Sequence, residues 1–192
     1  MTTRYPTLSQ LRKKISKEPS VIGGSLTFLR LVHIMLKGLH EEVLIMPFTA
    51  RELLARIIQC EAGGEGLTGM QAVATVVMNR VHVPGGEYLR TGQGNLENVI
   101  FQEYQFDCAR TQIGGQYNPQ NIYNMSPEPI NYEVADWALS GNSLGAVGDC
   151  LWYFNPFSEN CEYYFPRNGS GVYHTRINNH CFYRPTSAYW QT

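Results

Sequence analysis

No lysine follows Lys37 in this chain, no two cysteines stand in a Cys-x-x-Cys spacing, and no apolar run reaches the length of a membrane span. Each absence removes a class of function. Binding nucleic acid regardless of sequence needs clustered Lys and Arg to displace phosphate counterions, and a net charge of −1 over 192 residues offers no such footprint. Nucleic acid is not expected as a partner. The stretch from Leu26 to Met46 is partly apolar, but Arg30, His33, Lys37, His40, Glu41 and Glu42 interrupt it well short of the ~20 residues that cross a bilayer. No membrane span is expected. The first residues also lack the clean apolar stretch and small-residue cleavage site of a secretory signal, so the chain is expected to be made in, and released into, the cytoplasm. No EF-hand-like run of acidic residues specifies calcium.

The five cysteines, Cys60, Cys108, Cys150, Cys161 and Cys181, are an odd number in a chain too long to need disulfide staples. Most are read as reduced and buried, with Cys150 and Cys161, which flank an aromatic run, as the pair to join outside a cell. A zinc site built from Cys150, Cys161, His174, His180 and Cys181 is a weak pattern without the usual ligand spacing, and no metal is assigned to the site.

What is present points to one domain with an appendage. A composition 43% hydrophobic and 16% charged suits a single globular domain with a substantial core. Charge is uneven along it: residues 1–45 hold seven Lys/Arg against three Glu, and residues 46–192 hold eight Arg against thirteen Asp/Glu. Residues 1–45 therefore read as a basic extension, partly ordered or a docking arm, and residues 46–192 as the domain proper.

Thr49 and Glu52 fit a capping box that opens a helix. Its apolar positions Leu53, Leu54, Ile57 and Ile58 form a stripe that lands next on Glu61. Gly63, Gly64 and Gly66 end that helix, and Thr68 with Gln71 forms a second capping box for a helix running to about Val81. Pro84 to Gly94 reads as a glycine-rich loop. Asn95 caps a short helix through Phe101, and Ser126-Pro127 leads to a helix over about 132–140, stopped by Gly141. The tail differs in kind: Leu151 to Phe154, Glu162 to Phe165, Val172 to His174 and Cys181 to Tyr183 are short aromatic runs that read as strands or extended loops. The expected class is mainly α (α+β), with a small aromatic-rich β part at the C-terminus.

Glu61 is the most informative position. A carboxyl group on an apolar stripe is costly to ionise, and the negative end of its helix dipole opposes a further negative charge. A retained proton is what the departing oxygen of a glycosidic bond requires. The plainer reading is a helix-terminal Glu turned to solvent. Glu65, four residues on, is a candidate second carboxylate for a hydrolytic pair, or a polar residue of the turn. Tyr153 and Asn155 suit a sugar cleft, since aromatic faces pack on pyranose C–H surfaces and amides bind N-acetyl groups. Gln71 either orients substrate or only completes its cap. Asn79 and Arg80 are expected to pin the second helix to its surroundings, and His174 and His180 to be structural.

Residues 54–80, a helix ending in Glu61-Ala62, a Gly64-Glu65 turn, then Gly69-Met-Gln-Ala-Val-Ala leading to Asn79-Arg80, resemble the signature of the SleB/CwlJ-type spore cortex-lytic cell-wall hydrolases. The likeness continues through Val99-Ile-Phe101, Gln105-Phe106 and Trp152-Tyr-Phe-Asn-Pro156 to about His180, covering roughly residues 49–183. It implies a compact lytic-transglycosylase or lysozyme-like helical domain in which Glu61 is the catalytic acid. It further implies cleavage of peptidoglycan glycan strands in spore cortex during germination, by a lytic transglycosylase route with one carboxyl group. The alternatives are a two-carboxylate muramidase or glucosaminidase, and a non-catalytic glycan-binding or spore-coat structural protein. The CwlJ-type branch further implies deposition in the spore coat or outer spore layers, coat-protein partners and calcium-linked action, with no other cofactor required.

Overall fold

The computed structural model describes residues 48–192; the basic extension expected over 1–45 lies outside the described residues. The described residues hold five α-helices: α1 (Ala50–Ala62), α2 (Gly66–His82), α3 (Gly86–Gly92), α4 (Leu96–Phe101) and α5 (Pro129–Leu139). Between α4 and α5 lies a short hairpin, β1 (Gln112–Ile113) and β2 (Gln116–Tyr117). Three further strands, β3 (Trp152–Phe154), β4 (Gly171–Ile177) and β5 (His180–Pro185), form an antiparallel sheet in the order β3-β5-β4. The mainly helical class with a small C-terminal sheet is as expected. Among the described residues, no helix is long and apolar enough to cross a membrane.

Thr49 caps α1 by accepting from the Glu52 amide at 3.2 Å. The reciprocal half of the box is missing, because the Glu52 carboxylate is taken by Arg56 at 2.8 Å. Leu54, Ile57 and Ile58 are fully buried and pack with Met70, Val73, Ala74 and Val77 of α2 and Val134, Ala135 and Ala138 of α5. Each such side chain contributes about 1.5–3 kcal/mol, and their stripe fixes the rotation of α1 that carries Glu61 inward.

Several expectations are corrected. Thr68 and Gln71 do not open α2, which starts at Gly66 with Glu65 as its N-cap residue. Gly66 takes φ +64, a left-handed turn that places the helix cap three residues earlier. The segment 84–94 is not all loop: residues 86–92 close into α3, because Tyr88 finds a buried place against Trp152 and Tyr189 that propensity does not reveal. Of the aromatic runs read as strands or extended loops, Glu162 to Phe165 takes the loop form, with one bridge, Tyr164 to Val172. Hairpin β1-β2 had no apolar alternation to announce it, since all four residues are exposed.

The disulfide joins Cys161 to Cys181, not Cys150 to Cys161. Cys150 is buried against Ala72, Val76 and Phe182. The loop after β3 folds back instead over the β4-β5 edge, where Arg176 donates from Nη1 to the Ser158 carbonyl at 2.9 Å and to that of Glu159 at 2.7 Å. With Cys161 and Cys181 joined, the weak zinc pattern loses two of its ligands. Cys60, Cys108 and Cys150 are free, and of these Cys60 is only half-buried.

Candidate active site

Glu61 occupies the last turn of α1 and is half-buried at a cavity of about 460 Å³. Its carboxyl oxygens each accept one hydrogen bond: Oε1 from the Cys108 thiol at 3.2 Å and Oε2 from the Tyr153 hydroxyl at 3.0 Å. Burial pushes the Glu61 carboxyl above its ordinary value. The bonds from Cys108 and Tyr153 and the charge of Arg80 pull back without cancelling the rise, and Asp107 adds to it. Tyr153 is held well above the usual phenol range by burial and by the nearby Glu61 charge. Cys108 is raised by the neighbouring Cys60 thiol, by burial and by Glu61. Both therefore stay protonated and remain donors.

Distinct elements supply the rest of the cavity wall. Arg80 on α2 is buried, donates from Nε to the Leu151 carbonyl at 2.7 Å, and lies over the Tyr88 and Phe106 rings at 4.8 and 5.1 Å. Its Nη1 is buried without a partner. Asn79 beside it donates to the carbonyls of Gly148 and Cys150. Both thus tie α2 to the segment before β3, as expected, but Arg80 also faces the cavity. From β3 and the loop after it come Tyr153, Phe154, Asn155 and Phe157. The Asn155 side-chain oxygen accepts from the Phe157 amide at 2.9 Å, leaving its amide nitrogen as a donor. Tyr104 and Phe157 complete the rim, 71% and 92% exposed, at φ +64 and +51. Non-glycine residues in that region carry backbone strain, which clusters at functional sites.

Of the expected site residues, the structure brings Glu61, Tyr153 and Asn155 into one cavity. Tyr153 meets Glu61 through its hydroxyl instead of offering a free ring face, since its ring packs on His180 and Phe182. Gln71 is not among the cavity's lining residues, because the early start of α2 puts it in the second turn. Glu65 is not there either. Its carboxylate accepts from the Asn179 backbone at 3.1 Å and from the Asn179 side chain at 2.9 Å, and lies 3.9 Å from His180 Nδ1. Burial alone would raise it, but the two Asn179 bonds and His180 outweigh that and hold Glu65 below its ordinary value. Glu65 is thus an ionised anchor between α2 and the β4-β5 turn. A side chain at Gly69 would overlap the Glu65 Cβ, which explains the glycine there.

Sequence reasoning missed Arg80 as a cavity residue, and it missed Cys108, Asp107, Tyr104 and Phe157. Arg80 sits on the same α2 face as Val73 and Val77, so its burial was implicit in the stripe. The other four lie in segments without periodicity and had no signal. A smaller cavity of about 200 Å³ among His82, Leu151, Pro185 and Trp190 contains Asp149, which is 68% exposed and paired with Arg184, so no sequestered acid serves it.

Fold and cavity together define a class, a lysozyme-like helical domain with a partly buried acid in a groove bordered by aromatic rings. The chain belongs to the Cell Wall Hydrolase family, whose pattern matches residues 64–183, more than half of its length and beginning just after Glu61. It is similar to the cell wall hydrolase CwlJ of Halalkalibacterium halodurans, 27% identical over 71% of this chain and 86% of the relative. It is also similar to CwlJ of Bacillus subtilis, 24% identical over 71% and 85%. A spore cortex-lytic enzyme of H. halodurans is 33% identical over 55% of this chain and 27% of the relative. Among solved structures, the catalytic domain of the germination-specific lytic transglycosylase SleB from Bacillus anthracis superposes with a TM-score of 0.50. That match covers 72% of this chain and 98% of the neighbour at 21% identity, a likeness of fold.

Proposed function

We propose that this protein cleaves the glycan strands of spore-cortex peptidoglycan during germination, as a lytic transglycosylase with Glu61 as acid and then base. The carrying observation is that Glu61 is the cavity carboxyl whose proton burial retains, with Tyr153 and Cys108 donating to the oxygens on which charge develops. Glu61 gives its proton to the glycosidic oxygen as the C1–O bond breaks. The carboxylate left behind takes the proton of the muramic acid 6-hydroxyl, whose oxygen bonds to C1 and closes a 1,6-anhydro ring. The proton returns to Glu61 and no water is consumed. Arg80 and the Asn155 amide are suited to substrate carbonyl or carboxylate oxygens, and Tyr104 and Phe157 to sugar faces.

A second reading draws on Asp107, which lines the same cavity, so it is better placed than Glu65 to be the second carboxylate of a hydrolytic pair. No required cofactor is proposed, and calcium rests on the family resemblance alone. Among the described residues, the one cluster of three metal-binding side chains holds two sulfurs, whereas calcium takes an oxygen cage. Deposition in outer spore layers and coat-protein partners are part of the proposal; the names of a spore cortex-lytic relative and a germination-specific structural neighbour support the spore setting alone.

The test is mass spectrometry of fragments released from decoated spores. Anhydro ends support the transglycosylase route. Fragments heavier by one water, lost on Asp107→Asn, would replace it with hydrolysis. Sedimentation with cortex without release would make the protein a binder, and undiminished release by Glu61→Gln would remove Glu61 from the reaction.

A further inference from the structure

The reaction uses one free thiol beside its acid, Cys108, and leaves a second, Cys60, unexplained. Cys60 precedes Glu61 on α1 and donates only to the Gln120 carbonyl at 3.4 Å, while Cys108 arrives from the 3-10 turn Asp107–Ala109. One ligand atom from each of Cys60, Glu61 and Cys108 lies within 4.8 Å of the other two. We propose that these three residues form an inhibitory site for a soft divalent cation, zinc, that captures the carboxylate needed for catalysis.

The donor set selects the ion. Two sulfurs and one oxygen suit zinc and exclude the harder magnesium and calcium. With zinc–sulfur bonds of about 2.3 Å and a zinc–oxygen bond of about 2.0–2.2 Å, tetrahedral geometry sets sulfur to oxygen near ~3.5 Å and sulfur to sulfur near ~3.8 Å. The Cys108 sulfur already stands 3.2 Å from Glu61 Oε1, so small side-chain rotations complete the arrangement. Glu61 lines the cavity, so the ion would reach the site at its carboxylate, with the two thiols outside the cavity lining behind it. As zinc binds, both thiol protons, and the carboxyl proton when present, leave to solvent, so binding strengthens with rising pH. A carboxylate bound to zinc holds no proton to donate. The site rests on its own geometry; the inhibition rests on Glu61 being the acid.

Cobalt(II) reports the site without an activity assay. Untagged full-length protein is held anaerobically after its three free thiols are counted, and cobalt(II) is titrated in. One equivalent is expected to give a sulfur-to-cobalt charge-transfer band with tetrahedral visible bands, displaced by zinc. Cys60→Ala, which leaves the Cys108 and Tyr153 bonds to Glu61 in place, is expected to lose the band, keep its glycan cleavage and resist zinc. In the parent, one equivalent of zinc should abolish cleavage and a chelator restore it. No band, a band that survives Cys60→Ala, or a thiol count of one would overturn the site. A normal band with cleavage undiminished by zinc would overturn the inhibition and the role of Glu61 with it.

Discussion

Replacing Tyr153 by Phe removes one hydroxyl and changes little else, because the ring stays packed on His180 and Phe182. What is lost is the 3.0 Å hydrogen bond to Glu61 Oε2. A hydrogen bond to a charged group is worth about 1.5–3 kcal/mol, which corresponds to roughly 10- to 150-fold in rate if the charge on Glu61 were complete in the transition state. With the proton about half transferred, the expected loss in kcat is roughly 3- to 12-fold. The same bond favours the ionised carboxyl, so its removal raises the Glu61 pKa further and moves the alkaline limb of the pH profile upward. Initial rates on soluble cortex glycan fragments, followed by chromatography and mass spectrometry across pH, read both effects. A rate and limb identical to the parent's, or a limb moved to lower pH, would refute the role given to this contact.

Glu61 binds its proton more tightly in the folded protein than in the unfolded chain, so stability is lost as pH rises through its raised folded value. Glu61→Gln removes that loss, and its melting temperature should gain on the parent's as pH rises from the ordinary glutamate value through the raised folded one. Glu65 has the opposite sign: its lowered pKa contributes stability above the unfolded value that disappears as pH falls through the folded one. Glu65→Ala is therefore expected to cost about 2 kcal/mol at neutral pH in a denaturant titration, less in acid, and to leave product masses unchanged. The Cys161–Cys181 disulfide spans 20 residues, a loop whose closure is worth about 3 kcal/mol, so Cys161→Ser with Cys181→Ser should lower the denaturant midpoint accordingly.

The parts legible in the sequence were those with a period. The stripe Leu53, Leu54, Ile57, Ile58 gave α1 and the rotation that turns Glu61 inward, and Asn95 announced α4, whose Asn98 amide it caps at 3.0 Å. Where a backbone conformation decided the outcome, the residues were silent. The left-handed Gly66 moved the start of α2 and with it Gln71, and positive φ at Tyr104 and Phe157 holds rings that composition alone reads as loop. Pairing across distance was equally hidden. Glu65 looked like a second acid four residues from the first, yet its partners, Asn179 and His180, come from the far end of the chain. Cys161 met Cys181 through a loop return that spacing does not encode.

Carbon-13 NMR of protein labelled at glutamate side-chain carboxyls, with Glu61→Gln and Glu65→Gln supplying the assignments, measures the central quantity directly. The Glu61 signal should titrate above the ordinary glutamate range, and the Glu65 signal below it, in the same sample. A Glu61 signal that titrates at or below the ordinary value would contradict the account, since an acid already ionised has no proton for the departing sugar.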